Sequence, residues 1–377
     1  MNKKVTITSL FIVVFLISLG ILLPKTLQNS YAVSTTFADT IMNLASTDAC
    51  NAGGTGVCAT NSYTDTDGTT KYHDYRFRGA DPNNYVLFNN DIYRVIGVFD
   101  SNSHGVEGKY LVKLIRSRIL GDFSWGAYNT TNTSGTYSNY KNDWTGNATG
   151  VKANANVLLN EFFYNKTDTS STYGSCSSWT YYFYYNSNGY NSNSYKTFSC
   201  SDIIGHGIDS NLRDYIEEVT WYLKGYKDYN YSKQNFYLCE RGLSTDTTNC
   251  MSANSGSYDA STTSKIGLMY VSDYLYASSY FADIATTTAS SEYYGNKNWL
   301  YKGYEWTITP IADSYDVVFV VNYFGSVLPK NMNGLGGFMF TSITRNANGV
   351  RPTFYLKSNV NVTGGTGTFD DPYTLSM

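Results

Sequence analysis

Residues Val5 to Leu23 (VTITSLFIVVFLISLGILL) run for 19 positions without a charge, directly behind Lys3 and Lys4. A helix needs about 20 apolar residues to span a bilayer, whereas the apolar core of a secretory signal usually has about 7–15. At an N-terminus behind two lysines, such a run points to export across a membrane. Pro24 and Lys25 end it, and Ser30-Tyr31-Ala32 sets small residues at the −3 and −1 positions for cleavage after Ala32. A cleaved signal peptide and an uncleaved signal anchor both fit residues 1–32. Either leaves the remainder extracellular or at the cell surface, with the membrane touched only through residues 5–23. Cleavage would remove three lysines and no acid, taking the formal charge from −3 to −6.

Export bears on the six cysteines, at positions 50, 58, 176, 200, 239 and 250. An even number in an oxidising compartment suggests disulfides, although six cysteines allow about 15 pairings. Their clustering favours the local set Cys50–Cys58, Cys176–Cys200 and Cys239–Cys250. Each would close a loop too rich in Gly, Ser, Asn and Thr to order itself by packing, contributing about 2.5–3.5 kcal/mol on the chain-entropy model. Zinc is disfavoured, because there is no CxxC pair and His73, His104 and His206 are scattered.

The surface is expected to be polar but weakly charged. Charged residues make up 15% of the chain, against about 25% in an ordinary soluble domain. Tyrosine, by contrast, occupies 37 of 377 positions. No block of Lys and Arg appears, so the basic stripe needed to neutralise phosphates is missing and a nucleic-acid partner is not expected.

Along the chain, Thr36–Ser46 predicts a short amphipathic helix with Phe37, Ile41, Leu44 and Ala45 on one side. Residues 33–71 then read as this helix followed by a disulfide-closed linker. The globular body is expected over 72–377. Strands are predicted at Tyr85–Phe88, Ile92–Phe99 and Tyr110–Arg116, with Asn89-Asn90 as a hairpin turn. Helices are predicted at Ala153–Phe163 and Ser210–Leu223. Between them lies a Tyr/Asn-rich insertion at 177–199, either a hairpin packed on the domain or an aromatic contact surface. Further strands are predicted at Val317–Val321, Gly337–Phe340 and Thr353–Leu356, with Gly364–Gly367 as a turn before the last one.

Lys265-Ile266-Gly267-Leu268-Met269 followed by Ser272-Asp273-Tyr274-Leu275-Tyr276-Ala277 resembles the strand-into-helix passage of formylglycine-generating-enzyme-like proteins. Trp306–Pro310, Val317–Val321 and Gly349-Val350-Arg351-Pro352 continue that likeness. The segments Gly79–Gly97 and Gly364–Leu375 resemble a family of exported Firmicutes surface proteins. The likeness spans roughly Arg76 to Leu375. It implies an α+β class with a C-type-lectin-like domain: small antiparallel sheets, flanking helices and long loops, behind an N-terminal hydrophobic helix. Two departures limit what is carried over. No cysteine follows Cys250, where formylglycine-generating enzymes keep functional ones. Asp81-Pro82-Asn83 and Asn142-Asp143-Trp144 stand in the wrong order for a calcium-binding lectin.

Catalytic patterns are sparse. There is no phosphate-binding glycine motif, no HExxH and no GxSxG. His206, between two glycines, is the best single candidate for a general base. Glu217 and Glu218 are adjacent and would be splayed on a helix, so they do not make a paired-carboxylate site. The reading favoured is a non-enzymatic, adhesin-like binding protein without a cofactor, recognising a glycan or protein ligand. On a lectin-like fold its contacts would come from Trp299, Tyr301, Trp306, Asn322, Tyr323, Asn331, Asn333, Arg345 and Asn348. Rings stack on sugar faces, and amides pair with hydroxyls. The alternatives are a self-associating structural protein of the cell envelope and an extracellular hydrolase or modifying enzyme.

Overall fold

In the computed structural model, residues 35–61, 63, 73–128, 140–176, 200–227, 231–279, 297–321, 339–343 and 347–377 are described. The apolar run 5–23, the cleavage motif and the insertion 177–199 lie outside them. Contacts divide the chain into Met1–Thr35 and Thr36–Met377. The second unit is mixed α+β, with small, mainly antiparallel sheets and few, short helices. Among the described residues, no helix is long and apolar enough to cross a membrane.

Strands β1 (Gly56–Thr60), β2 (Asp74–Arg78), β3 (Tyr85–Phe88), β4 (Asp91–Phe99) and β5 (Leu111–Arg116) build most of a six-stranded sheet. Its order is β1-β2-β4-β5 followed by the strand Thr353–Tyr355, with β3 also paired to β4. All of its pairings are antiparallel. Asn89 and Asn90 join β3 to β4 with φ of 57° and 56°. Positive φ at both central residues is the type I′ requirement, and its twist matches that of the flanking strands. In β4, Val95, Ile96, Val98 and Phe99 are all buried. The register with β5 shifts between Val95 and Gly97, which marks a bulge. Gly97 also lets β2 approach closely: a Cβ there would stand 2.5 Å from the Tyr75 carbonyl oxygen.

The second sheet has five strands. These are β6 (Gly121–Ser124), β7 (Glu305–Pro310), β8 (Val317–Val321), β9 (Met339–Ile343) and β10 (Ala347–Val350), in the order β9-β8-β7-β10-β6. β7 and β10 meet in parallel through Glu305 and Gly349, and the other pairs are antiparallel.

Helix α1 (Phe37–Met42) starts at a capping box. Thr36 Oγ accepts the Asp39 N–H at 3.1 Å, and the Asp39 carboxylate takes the Thr36 N–H. It buries Phe37 and Ile41 completely, but it stops before Leu44, which is 47% exposed rather than on the buried side as predicted. The expected linker is structured as well. Thr47–Cys50 is helical and β1 pairs with β2 over five residues, so the globular unit begins at Thr36, not near Tyr72.

A second correction concerns Ser210–Leu223. Only Ser210–Tyr215 is helical, as a 3-10 turn, while Val219–Tyr222 pairs with Ser261–Ser264 as a strand. Val219 and Trp221 point inward at a spacing of two, and β-branched and aromatic side chains suit that extended form. The helix at 153–163 is present as an α turn, Asn154–Val157, running into a π turn, Leu158–Phe163. All three local disulfides are formed, with Cα separations of 4.9 Å (Cys50–Cys58), 5.9 Å (Cys176–Cys200) and 5.6 Å (Cys239–Cys250).

Candidate functional site

β2 reads Asp-Tyr-Arg-Phe-Arg, and alternate residues of a strand share a face. Asp74, Arg76 and Arg78 therefore project together, and all three are buried. Arg76 meets Asp74 at 3.0 Å and Asp273 at 3.3 Å. Lys113 of β5 meets the other oxygen of Asp273 at 2.6 Å. Two more helices complete the group: α2 (Lys233–Glu240), followed directly by Arg241, and α3 (Val271–Ala277), which carries Asp273. Glu240 accepts a hydrogen bond from the Thr309 hydroxyl at 2.5 Å and lies 3.6 Å from Arg241. Arg241 has no hydrogen-bond acceptor among the described residues, and its guanidinium lies 3.8 Å from the Tyr270 ring centroid.

Three cations and three anions thus cancel inside the fold, each at most 2% exposed. Burial raises the Asp273 carboxyl, but Lys113, Arg76 and Arg241 outweigh it and hold the group below the usual carboxylate range. Burial lowers Lys113 to about 8, against the pull of Asp273. Glu240 is raised by burial despite Arg241. Removing one partner of such a buried pair typically costs about 3–5 kcal/mol, because the other charge is stranded.

Arg78, next along the same face, is treated differently. Its Nη1 donates to the carbonyls of Ala49 (3.2 Å) and Cys50 (2.6 Å), and its Nε and Nη2 donate to that of Ser278. It thereby ties together the ends of the helix Thr47–Cys50 and of α3. Carbonyl dipoles solvate the guanidinium but carry no net charge. Among the described residues no carboxylate lies within 4.0 Å of it, and burial lowers its pKa.

Arg78 lines a cavity of about 320 Å³, within the usual range for small-molecule sites. One wall is the Cys50–Cys58 disulfide; another is the start of α2, with Lys233 and Gln234; Tyr276 also lines it. The Tyr276 ring links cavity and ion cluster, since Arg76 lies 4.5 Å and Lys233 Nζ 5.0 Å from its centroid. Ser232 caps α2, accepting the Asn235 N–H at 3.1 Å. A second, water-sized cavity of about 10 Å³ lies by Asn142 Oδ1 and Trp144 Nε1, two buried atoms without a hydrogen-bond partner among the described residues.

Of the nine contact residues expected from sequence, four are described, and none of the four lines this cavity. Trp299 and Trp306 are core residues, 2% and 1% exposed, and their indole N–H groups donate to the carbonyls of Phe77 (2.9 Å) and Phe123 (2.6 Å). Neither offers a ring face to a ligand. Asn348 is also buried, and Tyr301 is half-buried against the core. Asn322, Tyr323, Asn331, Asn333 and Arg345 lie outside the described residues. Asp143 braces its own loop, accepting from the N–H groups of Gly146, Ala148 and Thr149. Among the described residues, no three His, Cys, Asp or Glu side chains are arranged to hold a metal.

Two histidines among the described residues pair with carboxylates. His206 is exposed and sits 3.3 Å from Asp91, which is itself held by Arg116 at 2.7 Å. His73 lies 3.2 Å from Asp100, with Tyr63 stacked over its ring at 3.6 Å. Sequence inspection missed Arg78, Lys233 and Tyr276. The available signal was the inverted alternation of β2, where charged residues recur every second position beside Tyr75 and Phe77. No family model matches the chain, and no curated protein or solved structure was found to be similar to it.

Proposed function

We propose that this chain is an exported binding protein of the cell surface, which holds a glycan or protein ligand without chemically altering it. The observation that carries this reading is the 320 Å³ cavity beside the Cys50–Cys58 disulfide. Its wall carries amide, hydroxyl and cationic groups, and among the described residues no carboxylate or imidazole lines it. Oxidation of the cysteines suits an extracellular setting, and the apolar run at 5–23 would deliver the chain there.

The C-type-lectin-like likeness belongs to the same proposal. Its support is internal: the chain near the two ends of the unit meets, Phe37 N–H donating to Val360 O at 2.7 Å, in a mixed α+β unit of small, mainly antiparallel sheets. The test is a glycan and host-protein array probed with the oxidised chain lacking residues 1–32, with and without calcium. Saturable binding that is lost when Gln234→Trp fills the cavity mouth supports the reading. A folded, monodisperse sample that binds nothing refutes it.

A further inference from the structure

We propose that Lys113 and Asp273 condense into a covalent amide cross-link between their side chains, a modification independent of the binding reading above. The first argument is position. Lys113 Nζ stands 2.6 Å from Asp273 Oδ2, and both side chains are fully buried. The two residues are 160 apart in sequence, so the fold alone brings amine and carboxyl together. Holding two reactants in this way can supply an effective concentration of about 10⁵–10⁸ M.

The second argument is what surrounds the ammonium. It has three N–H donors, yet among the described residues Asp273 is the only side-chain acceptor that Lys113 meets. The rings of Tyr270, Trp221 and Tyr355 stand around it, with centroids at 4.4, 5.2 and 5.3 Å. Burying a charge with so few hydrogen bonds is costly, and an amide removes both charges of the pair. The cluster stays balanced, because Arg76 and Arg241 remain against Asp74 and Glu240. Burial also lowers Lys113 to about 8, which brings the neutral, nucleophilic amine within reach.

The third argument is the setting of the carboxyl. Arg76 Nη1 donates to Oδ1 at 3.3 Å, and the Tyr270 N–H donates to Oδ2 at 2.9 Å. Lys113 first passes one proton to Oδ2 along the short contact. The neutral amine then attacks Cγ, and the charge that develops on Oδ1 is met by Arg76. A second proton follows to Oδ2, the Cγ–Oδ2 bond breaks and water leaves. Nζ keeps its last hydrogen as the amide N–H. Ammonium and carboxylate together lose one water, so atoms and charge balance without a co-reactant. Arg76 also favours the resting carboxylate, so the step is expected to be slow, and it need occur only once per molecule. The bond would tie β5 to α3.

The test is peptide mapping of the full chain, folded in mild detergent, then denatured, reduced, alkylated and digested with trypsin. Trypsin cuts after lysine and arginine, so a free Lys113 releases 110–113 and 266–297 as separate peptides. The cross-link blocks cleavage at Lys113 and joins 110–116 to 266–297, one water lighter than the two together. The joined peptide is expected to outweigh the separate ones, and its fragmentation to place the branch at Lys113 and Asp273. Lys113→Arg keeps the charge and should release 266–297 unjoined and at full mass. The main result is read on the unsubstituted chain, so it stands whether or not that variant folds. Separate peptides in excess from the folded, unsubstituted chain overturn the inference. A water loss on 266–297 that survives in Lys113→Arg also overturns it, because the loss then arises within that peptide. Neither outcome touches the binding reading, which the arrays test separately.

Discussion

His104 is fully buried, and both of its ring nitrogens are engaged. Nε2 lies 3.1 Å from the Phe99 carbonyl and so carries the proton, while Nδ1 accepts the Val106 N–H at 3.1 Å. A second proton, on Nδ1, would displace the Val106 N–H bond. Burial, helped by Arg241 and Lys113, lowers the group to about 4. The folded state therefore stays neutral where an unfolded histidine, near 6.5, becomes charged. Between those values the unfolded chain binds the extra proton, so stability falls as pH drops through the window. The full loss is about 3 kcal/mol, complete below pH 4. Carboxylates such as Asp273 add their own acid dependence, so a difference is needed to isolate the imidazole. His104→Gln keeps a donor for Phe99 and removes the titration. Urea melts should show the variant less stable at pH 7, with the gap closing by roughly 3 kcal/mol at pH 4. A gap that does not change with pH means that the ring is not the titrating group.

At the scale of elements, the hairpin between β3 and β4 separates two asparagines that look alike in sequence. Asn89 Nδ2 donates to the Gly207 carbonyl at 2.9 Å, and its Oδ1 accepts the Asp209 N–H at 2.9 Å. Asn90 is exposed and serves only the turn. Asn90→Gly is therefore expected to be neutral or to stabilise by a few tenths of a kcal/mol, since glycine adopts positive φ freely. Asn89→Gly suits the turn equally well but loses two bonds to 207–209, a cost of about 1–3 kcal/mol. Thermal melts of the two variants check the contrast. The turn itself was legible because hairpin geometry depends on four adjacent residues, and the limits of β3, β4 and β5 followed from short β-rich runs. Val219–Tyr222 was not. Its apolar residues fit both periods, and the choice was made by a partner about 40 residues later, Ser261–Ser264.

For the whole molecule, the candidate site was the least legible part. The cavity joins residues 50–61, 78, 232–234 and 276, which no local pattern connects. Arg76, Lys113 and Arg241 each look like ordinary surface cations until tertiary packing encloses them with their acids. Trp299 and Trp306 failed as contacts for the converse reason: large rings whose indole N–H finds a backbone carbonyl serve a core as well as a surface. The same long-range logic decides where the unit begins. Phe37, Ile41 and Val57 lie before residue 72, at 0%, 0% and 2% exposure. Leaving their partners uncovered costs roughly 5–9 kcal/mol at about 1.5–3 kcal/mol each. A domain has only about 5–15 kcal/mol in total. Trimming to 72–377 also strips Arg78 of the Ala49 and Cys50 carbonyls, which leaves a buried guanidinium half-solvated. Calorimetric melts of two trimmed chains, 36–377 and 72–377, address this directly. The first should unfold in one cooperative transition and the second should show none. If 72–377 melts cooperatively at the same temperature, residues 36–71 are an appendage, and the wall that Cys50–Cys58 gives the cavity is dispensable to the fold.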